Sequence, residues 1–138
     1  MSILGRLFGG SAAKGPQSFS IAGHGDFPLE VVSVLFYQEN LERICGPRTD
    51  QGVDRTVRAR LMPEEGNPHD PQAVRVEVDG RQVGYLNRDF ARQFRRQIKQ
   101  AGQPRAFGEC DARITGGTRR KAGGRAGAYS VWLDIPAQ

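Results

Sequence analysis

The residues with the clearest capacity for chemistry lie in a short proline-rich loop. Its sequence, PEEGNPHDP over residues 63–71, carries the carboxylates of Glu64, Glu65 and Asp70. Clustered carboxylates can hold a divalent cation for phosphodiester hydrolysis, so a metal-dependent hydrolase acting on nucleic acid is one interpretation. The other is structural, because Asn and Asp side chains form Asx turns that lead into a following strand. The prolines fix the loop conformation under either interpretation.

The motifs of other hydrolases are absent from the sequence. It has no GxxxxGK[ST] phosphate-binding loop, HExxH helix, CxxC pair or GxSxG elbow. The two cysteines, Cys45 and Cys110, and the two histidines, His24 and His69, are scattered without the spacing of metal ligands. We therefore expect a protein that is not an enzyme and that needs neither a metal nor a cofactor.

Positive charge is concentrated in one half of the chain. The formal net charge is +5, but residues 88–125 alone hold eleven Arg or Lys against three acids. Residues 26–87 hold seven against eleven. A cationic region attracts polyanions, and each neutralised phosphate releases condensed counterions. Nucleic acid is thus the first partner to expect, and a basic surface that serves only solubility is the alternative.

The composition predicts one modest domain with a tail. Of 138 residues, 38% are hydrophobic and 25% charged, and no apolar run is long enough for a membrane span or a signal peptide. We expect a cytoplasmic monomer without membrane contact, in which both cysteines are free thiols. The Gly, Ser and Ala of GGSAAKGPQSFSIAGHG, residues 9–25, predict a flexible leader over 1–26 and a folded domain over 27–136.

Short strands and two helices are predicted to position these residues. Asp79-Gly80 is a strong hairpin signal, and Asn87 or its neighbour can cap the second helix. The predicted helices are residues 38–45 and 88–101. The predicted strands are residues 29–35, 53–62, 73–78, 82–86, 105–115 and 128–135. Strands this short, with two helices, predict a mostly β protein built as a small barrel or strongly bent sheet.

The central block of the chain resembles the HIRAN domain. A Pro-Glu pair precedes the Asn-Pro-X-Asp-Pro loop, AVRVEVDGRQVGYLNRDFA follows, and the C-terminal strand ends in VWLDI. The resemblance covers roughly residues 28–135. It implies a six-stranded barrel related to the OB fold with two helices, as found in fork-remodelling ATPases and in free-standing bacterial and phage proteins.

The resemblance also implies a function, the capture of single-stranded DNA 3′ ends at stalled or damaged replication forks. Asp70 matches the carboxylate that accepts a hydrogen bond from the terminal hydroxyl, and Asn67 would fix its loop or touch the end nucleotide. Phe36 and Tyr37 match aromatic residues that stack on bases. His69 stands where well-studied relatives have another aromatic.

Further positions match phosphate-binding residues of the family, with two departures. Tyr85 and Arg88 match positions that hold the terminal phosphates. An arginine beside the first aromatic is replaced by Leu35 or Phe36, and the aromatic of the late loop has no counterpart in residues 116–127. Cations of that loop would grip the DNA backbone instead. The expected nucleic-acid-binding residues are Phe36, Tyr37, Asn67, His69, Asp70, Tyr85, Asn87, Arg88, Arg92, Arg119, Arg120 and Lys121.

A protein-interaction adaptor is the remaining alternative. Such a module would recruit a DNA repair helicase or nuclease, with Trp132 or residues 3–8 as its anchor. Trp132 alternates with Val131 and Leu133, which is more typical of a barrel wall.

Overall fold

The computed structural model describes residues 7–8, 17–119 and 127–136. Its two α-helices are α1 (Gln38–Cys45) and α2 (Arg88–Gln100), and a 3₁₀ helix covers Val34–Tyr37. Its strands are β1 (Leu7–Phe8), β2 (Ser18–Ser20), β3 (Leu29–Glu30), β4 (Val53–Pro63), β5 (Val74–Val78), β6 (Arg81–Tyr85), β7 (Phe107–Gly116) and β8 (Ser130–Leu133). In this part of the chain, neither helix has the length and apolar character needed to cross a bilayer.

The described strands form one eight-stranded sheet, in which six strands are antiparallel and curled in the order β3-β8-β7-β4-β5-β6. Strand β2 joins this sheet beside β7, and β1 pairs with β2. The curl brings its two ends together just after β3. There the N–H of Val32 donates to the carbonyl of Tyr85, and the N–H of Tyr85 donates to the carbonyl of Val32, both at 2.9 Å. The mostly β, six-stranded, OB-like architecture with two helices is thus confirmed.

Alternating residues build the core of this barrel. On β4, Ala59 and Leu61 are fully buried while Arg58 and Arg60, which alternate with them, are exposed, as expected for a half-buried strand. The hairpin between β5 and β6 turns at Asp79 and Gly80, whose φ angles are 52° and 73°. Two positive φ angles are what a tight hairpin turn requires, so this prediction is confirmed.

Helix α2 follows the hairpin directly and packs one face on the barrel. Its buried residues are Phe90, Ala91, Phe94 and Ile98. The Oδ1 atom of Asn87 accepts a hydrogen bond from the N–H of Phe90 at 2.8 Å, so Asn87 caps the helix as predicted. Arg88, Arg92, Arg96 and Lys99 of the same helix are exposed to solvent.

The segment predicted as one strand over residues 29–35 breaks in the middle. Strand β3 ends at Glu30, and Ser33 adopts a left-handed conformation with φ 65° before the 3₁₀ helix begins. After Val32 has closed the barrel against Tyr85, the chain must turn away from the sheet. Phe36 and Tyr37 therefore lie on a helical turn instead of following a strand.

The domain extends further toward the N-terminus than the composition indicated. Strand β2 pairs in parallel with β7, and Phe19 and Ile21 are buried in the core at 5% and 2% exposure. The expectation of a flexible leader is therefore wrong for residues 17–26, while residues 9–16 lie outside the described part. Two apolar side chains two positions apart face the same side of a strand, a signal that the Gly and Ser content obscured.

Both thiols are free. Cys110 is fully buried on β7 and Cys45 is partly buried at the end of α1, as the sequence led us to expect.

Candidate nucleic-acid interface

The loop between β4 and β5 is held in one conformation by its own hydrogen bonds. Asn67 Oδ1 accepts from the N–H of His69 at 2.8 Å and from that of Asp70 at 3.0 Å. Asp70 Oδ1 accepts in turn from the N–H of Gln72 at 2.9 Å. These are the Asx turns that the sequence suggested. These turns use the Oδ1 atom of Asp70, and the Oδ2 atom is the remaining acceptor of that carboxylate.

Helix α2 fastens both ends of the loop through one side chain. Arg95 Nη2 donates to the carbonyl of Glu64 at 2.7 Å and to that of Ala73 at 3.0 Å. The Glu64 N–H also donates to the carbonyl of Ala73, which closes the loop at its base. Arg95 Nε is buried without a hydrogen-bond partner. Charged donors to buried carbonyls are strong hydrogen bonds, so Arg95 is a structural anchor of the interface.

Glu64 is the centre of the loop's contacts with the barrel. Its carboxylate accepts from Asn67 Nδ2 at 2.6 Å and from the hydroxyl of Tyr85 at 3.0 Å. Arg75 Nη1 lies 4.0 Å from Glu64 Oε2 and adds a weaker attraction. Sequence reasoning treated Glu64 only as a candidate metal ligand, although the Pro-Glu pair of the motif already marked this position.

The two tyrosines of the interface contact each other edge to face. The ring centroids of Tyr37 and Tyr85 are 6.5 Å apart with an interplanar angle of 66°. Burial raises the pKa of Tyr37 above its ordinary value of 10.0, and the neighbouring Tyr85 phenol and Glu64 carboxylate raise it further. Tyr37 therefore stays neutral at physiological pH and cannot repel a phosphate.

Asp70 and Arg88 form an open pair at the end of this group. Arg88 Nε lies 3.7 Å from Asp70 Oδ2, and the side chains are 68% and 18% exposed respectively. Because the distance is long and the Arg88 guanidinium is largely exposed, the pair is worth about 0–1 kcal/mol, so Arg88 can exchange Asp70 for a ligand at little cost.

The structure thus brings five of the expected binding residues into one series of contacts. It runs from Tyr37 through Tyr85, Glu64 and Asn67 to Asp70 and ends at Arg88. His69 is exposed on the same loop, and Asn87 stands directly before Arg88 with its side-chain oxygen used as the helix cap.

Other expected residues lie elsewhere. Phe36 is 84% exposed and lines a separate apolar groove between the 3₁₀ helix and residues 127–130. Arg119 Nη1 lies 3.8 Å from Asp50 Oδ1 and makes no contact with the Tyr37 to Arg88 series among the described residues. Arg120 and Lys121 lie outside the described part. Arg92 is exposed one turn beyond Arg88 on α2.

No metal centre accompanies the interface in residues 17–119 and 127–136. Within those ranges no three His, Cys, Asp or Glu side chains are grouped to hold an ion. The carboxylate of Glu64 is already shared between Asn67 and Tyr85.

Fold and site together define a small OB-like barrel with an aromatic and cationic rim. The model of the HIRAN domain matches residues 24–119, well over half of the chain. The chain therefore belongs to the HIRAN domain family, a family of binding domains and not of catalysts, and is a nucleic-acid-binding module. Comparison with curated proteins and comparison with solved structures each gave no match.

Proposed function

We propose that the protein captures the 3′ end of single-stranded DNA, with the Asp70 carboxylate accepting a hydrogen bond from the terminal hydroxyl. The observation that carries the proposal is the position of Asp70 Oδ2. It belongs to a partly exposed carboxylate on a loop fixed by Asn67, and its neighbour is the exposed charge of Arg88.

A carboxylate at this position discriminates between the end and the middle of a strand. A terminal hydroxyl is a hydrogen-bond donor, and its bond to an ionised oxygen is roughly twice as strong as a neutral one. An internal phosphodiester has no proton to donate and brings a second negative charge to Asp70. The end is therefore attracted where the rest of the strand is repelled.

Arg88 is the residue best placed for the last phosphate. Its guanidinium is 68% exposed and already next to Asp70, so it can bridge the carboxylate and a phosphate oxygen of the same nucleotide. Tyr85 was expected to share that role, but its hydroxyl hydrogen is directed to Glu64. We assign Tyr85 to the positioning of Glu64 and Tyr37.

Stacking of bases on aromatic rings contributes binding free energy that does not depend on the DNA sequence. Tyr37 presents a neutral ring beside Tyr85, and exposed His69 lies on the Asp70 loop. Each base that stacks on such a ring contributes about 1–3 kcal/mol. Phe36 would stack a base further along the strand, at the edge of its apolar groove.

Free 3′ ends arise where replication stalls or DNA is damaged, and we infer that the protein acts in DNA repair at such forks. Its two free thiols are consistent with a reducing, cytoplasmic environment.

The test compares two oligonucleotides of one sequence, one with a 3′-hydroxyl and one with a 3′-phosphate. We expect the wild-type protein to prefer the hydroxyl and the Asp70→Ala variant to lose that preference. Arg88→Ala should weaken both and flatten the salt dependence by about 0.7 in log–log slope, the value of one phosphate contact with a single strand. Equal binding of the two oligonucleotides by the wild type, with Asp70→Ala silent, would overturn the proposal.

A further inference from the structure

A second cationic surface lies beside the Asp70 loop. It is an open groove of about 560 Å³ between α2 and the segment that follows it, lined by Gln72, Arg92, Arg95, Arg96, Lys99 and Pro104. Four of these six residues carry a positive charge and none is acidic. Gln72, whose N–H is bound by Asp70 Oδ1, forms the boundary between this groove and the interface described above.

The charges of the groove are not neutralised by the protein. Arg92, Arg96 and Lys99 are exposed, and in the described part of the chain no carboxylate oxygen lies within 4.0 Å of their nitrogens. The barrel wall is different. There, arginines of β4 and β7 pair with acids across the sheet, as in Arg113–Asp54 at 2.6 Å. The positive field of the folded domain is therefore concentrated along α2.

The cations of α2 form a continuous stripe that starts at the end-binding residues. Arg88, Arg92, Arg96 and Lys99 are spaced four, four and three residues apart, so they share one side of the helix over about 17 Å. Arg95 lies within the same stripe and is held rigidly by the carbonyls of the loop. A strand whose end lies at Asp70 would meet these cations in succession.

We propose that this groove, called the α2 groove here, binds the sugar-phosphate backbone of the strand that leads to the captured 3′ end. It contains no aromatic side chain, so it grips phosphates without stacking or reading bases. It gives affinity that depends on strand length and salt, whereas Asp70 gives discrimination of the end. The proposal deepens the proposed function and rests on DNA binding by the domain.

The experiment uses the triple variant Arg92→Gln/Arg96→Gln/Lys99→Gln. Glutamine is a good helix former, and none of the three side chains has an acidic partner among residues 17–119 and 127–136, so the fold should be retained. The matched control is Arg43→Gln/Arg55→Gln/Arg81→Gln, which removes the same charge from exposed positions elsewhere. Of these three arginines, only Arg43 has an acidic partner among the described residues, the exposed Glu39. Thermal unfolding verifies that both variants are folded. Binding is measured over a salt series with a dinucleotide and with strands of about 12 nucleotides, within the span of one small barrel.

For the longer strand we expect the triple variant to lose about tenfold in affinity at low salt and to flatten the log–log salt slope by about 2, the value of three phosphate contacts. The loss should be the same for 3′-hydroxyl and 3′-phosphate ends, and it should be small for the dinucleotide. The control variant should change the slope little.

The possible failures separate the two proposals. If the triple variant behaves like the control while wild-type protein prefers the 3′-hydroxyl, the proposal that the α2 groove binds the DNA backbone is wrong and end capture stands. If the triple variant loses affinity while the two ends bind alike, end capture is wrong and the groove stands. A wild-type protein that binds neither strand overturns both.

Discussion

The hydroxyl of Tyr85 donates a hydrogen bond to the carboxylate of Glu64, with 3.0 Å between the two oxygens. This bond joins the last residue of β6 to the loop that carries Asp70. Because Tyr85 also contacts Tyr37 and pairs with Val32, the closure of the barrel and the shape of the interface depend on the same residue.

Removing that hydroxyl should weaken both stability and binding. Tyr85→Phe keeps the ring but removes one of the two hydrogen-bond donors to Glu64, the other being Asn67, and we expect the free energy of unfolding to fall by about 1–2 kcal/mol. Urea denaturation measures this, and a DNA titration should show weaker binding because the loop is less restrained. Tyr129→Phe is the control, since its hydroxyl donates to the carbonyl of Gly46 away from the interface. It should lower stability and leave DNA affinity intact, and a Tyr85→Phe protein as stable as the wild type would contradict the assignment.

Two substitutions of Asn67 test whether its side-chain amide sets the conformation of the loop. Asn67→Ala removes both Asx-turn bonds, with an expected loss of about 1–2 kcal/mol in unfolding free energy and a weaker preference for the 3′-hydroxyl.

Asn67→Asp keeps the acceptor oxygen but places a second carboxylate against Glu64, where the wild-type amide nitrogen lies 2.6 Å away. Like charges this close raise the pKa of one of them, so Asn67→Asp should gain stability relative to wild type as the pH is lowered. An Asn67→Asp variant with the pH dependence of the wild type would show that Glu64 is not where the structure places it.

Local patterns were sufficient for the elements that depend on neighbouring residues. Asp79-Gly80 determined the hairpin, and Asn87 with its apolar helix face determined α2, because turns and caps involve groups only a few positions apart. The Asx turns at Asn67 and Asp70 belong to the same kind of signal. The family resemblance supplied the identity of most site residues.

The relationships that sequence reasoning missed are between distant segments. Nothing near Phe19 indicates that β2 will pair in parallel with β7, which lies some ninety residues later. Nothing near Val32 indicates its closure against Tyr85, and this closure is the reason that residues 34–37 form a turn of helix. The carboxylate of Glu64 looked like a metal ligand until its partners Asn67 and Tyr85 were placed beside it.

Gly84 allows the barrel to close. A Cβ atom at this position would lie 2.5 Å from both Val31 Cγ1 and the carbonyl oxygen of Val32. Gly84→Ala must therefore displace the chain that pairs with Tyr85, and we expect a loss of about 1–3 kcal/mol in unfolding free energy. Gly80→Asn is the control, since a side chain there meets nothing within 4 Å and Asn tolerates the left-handed turn. Equal stability of the two variants, measured in urea, would argue against the closure.

Cys110 should make stability fall in alkaline solution. Burial raises the pKa of its thiol from 9.0 to about 12. Between these values the unfolded chain releases a proton that the native protein retains, so the native state loses stability as the pH rises. Urea denaturation across this range should show a steeper decline for wild type than for Cys110→Ala, which is less stable throughout because of its cavity. Parallel declines would mean that the thiol is accessible to water.

Competition between a linear single strand and a covalently closed circle of the same sequence tests end capture most directly. Both molecules offer phosphates to the α2 groove and bases to the aromatic rings, but only the linear strand offers a 3′-hydroxyl to Asp70. We predict that the linear strand displaces a labelled oligonucleotide at a concentration at least about tenfold lower, equivalent to about 1.4 kcal/mol. If the circle competes equally well, the protein binds the middle of a strand and Asp70 has no role in recognising its end.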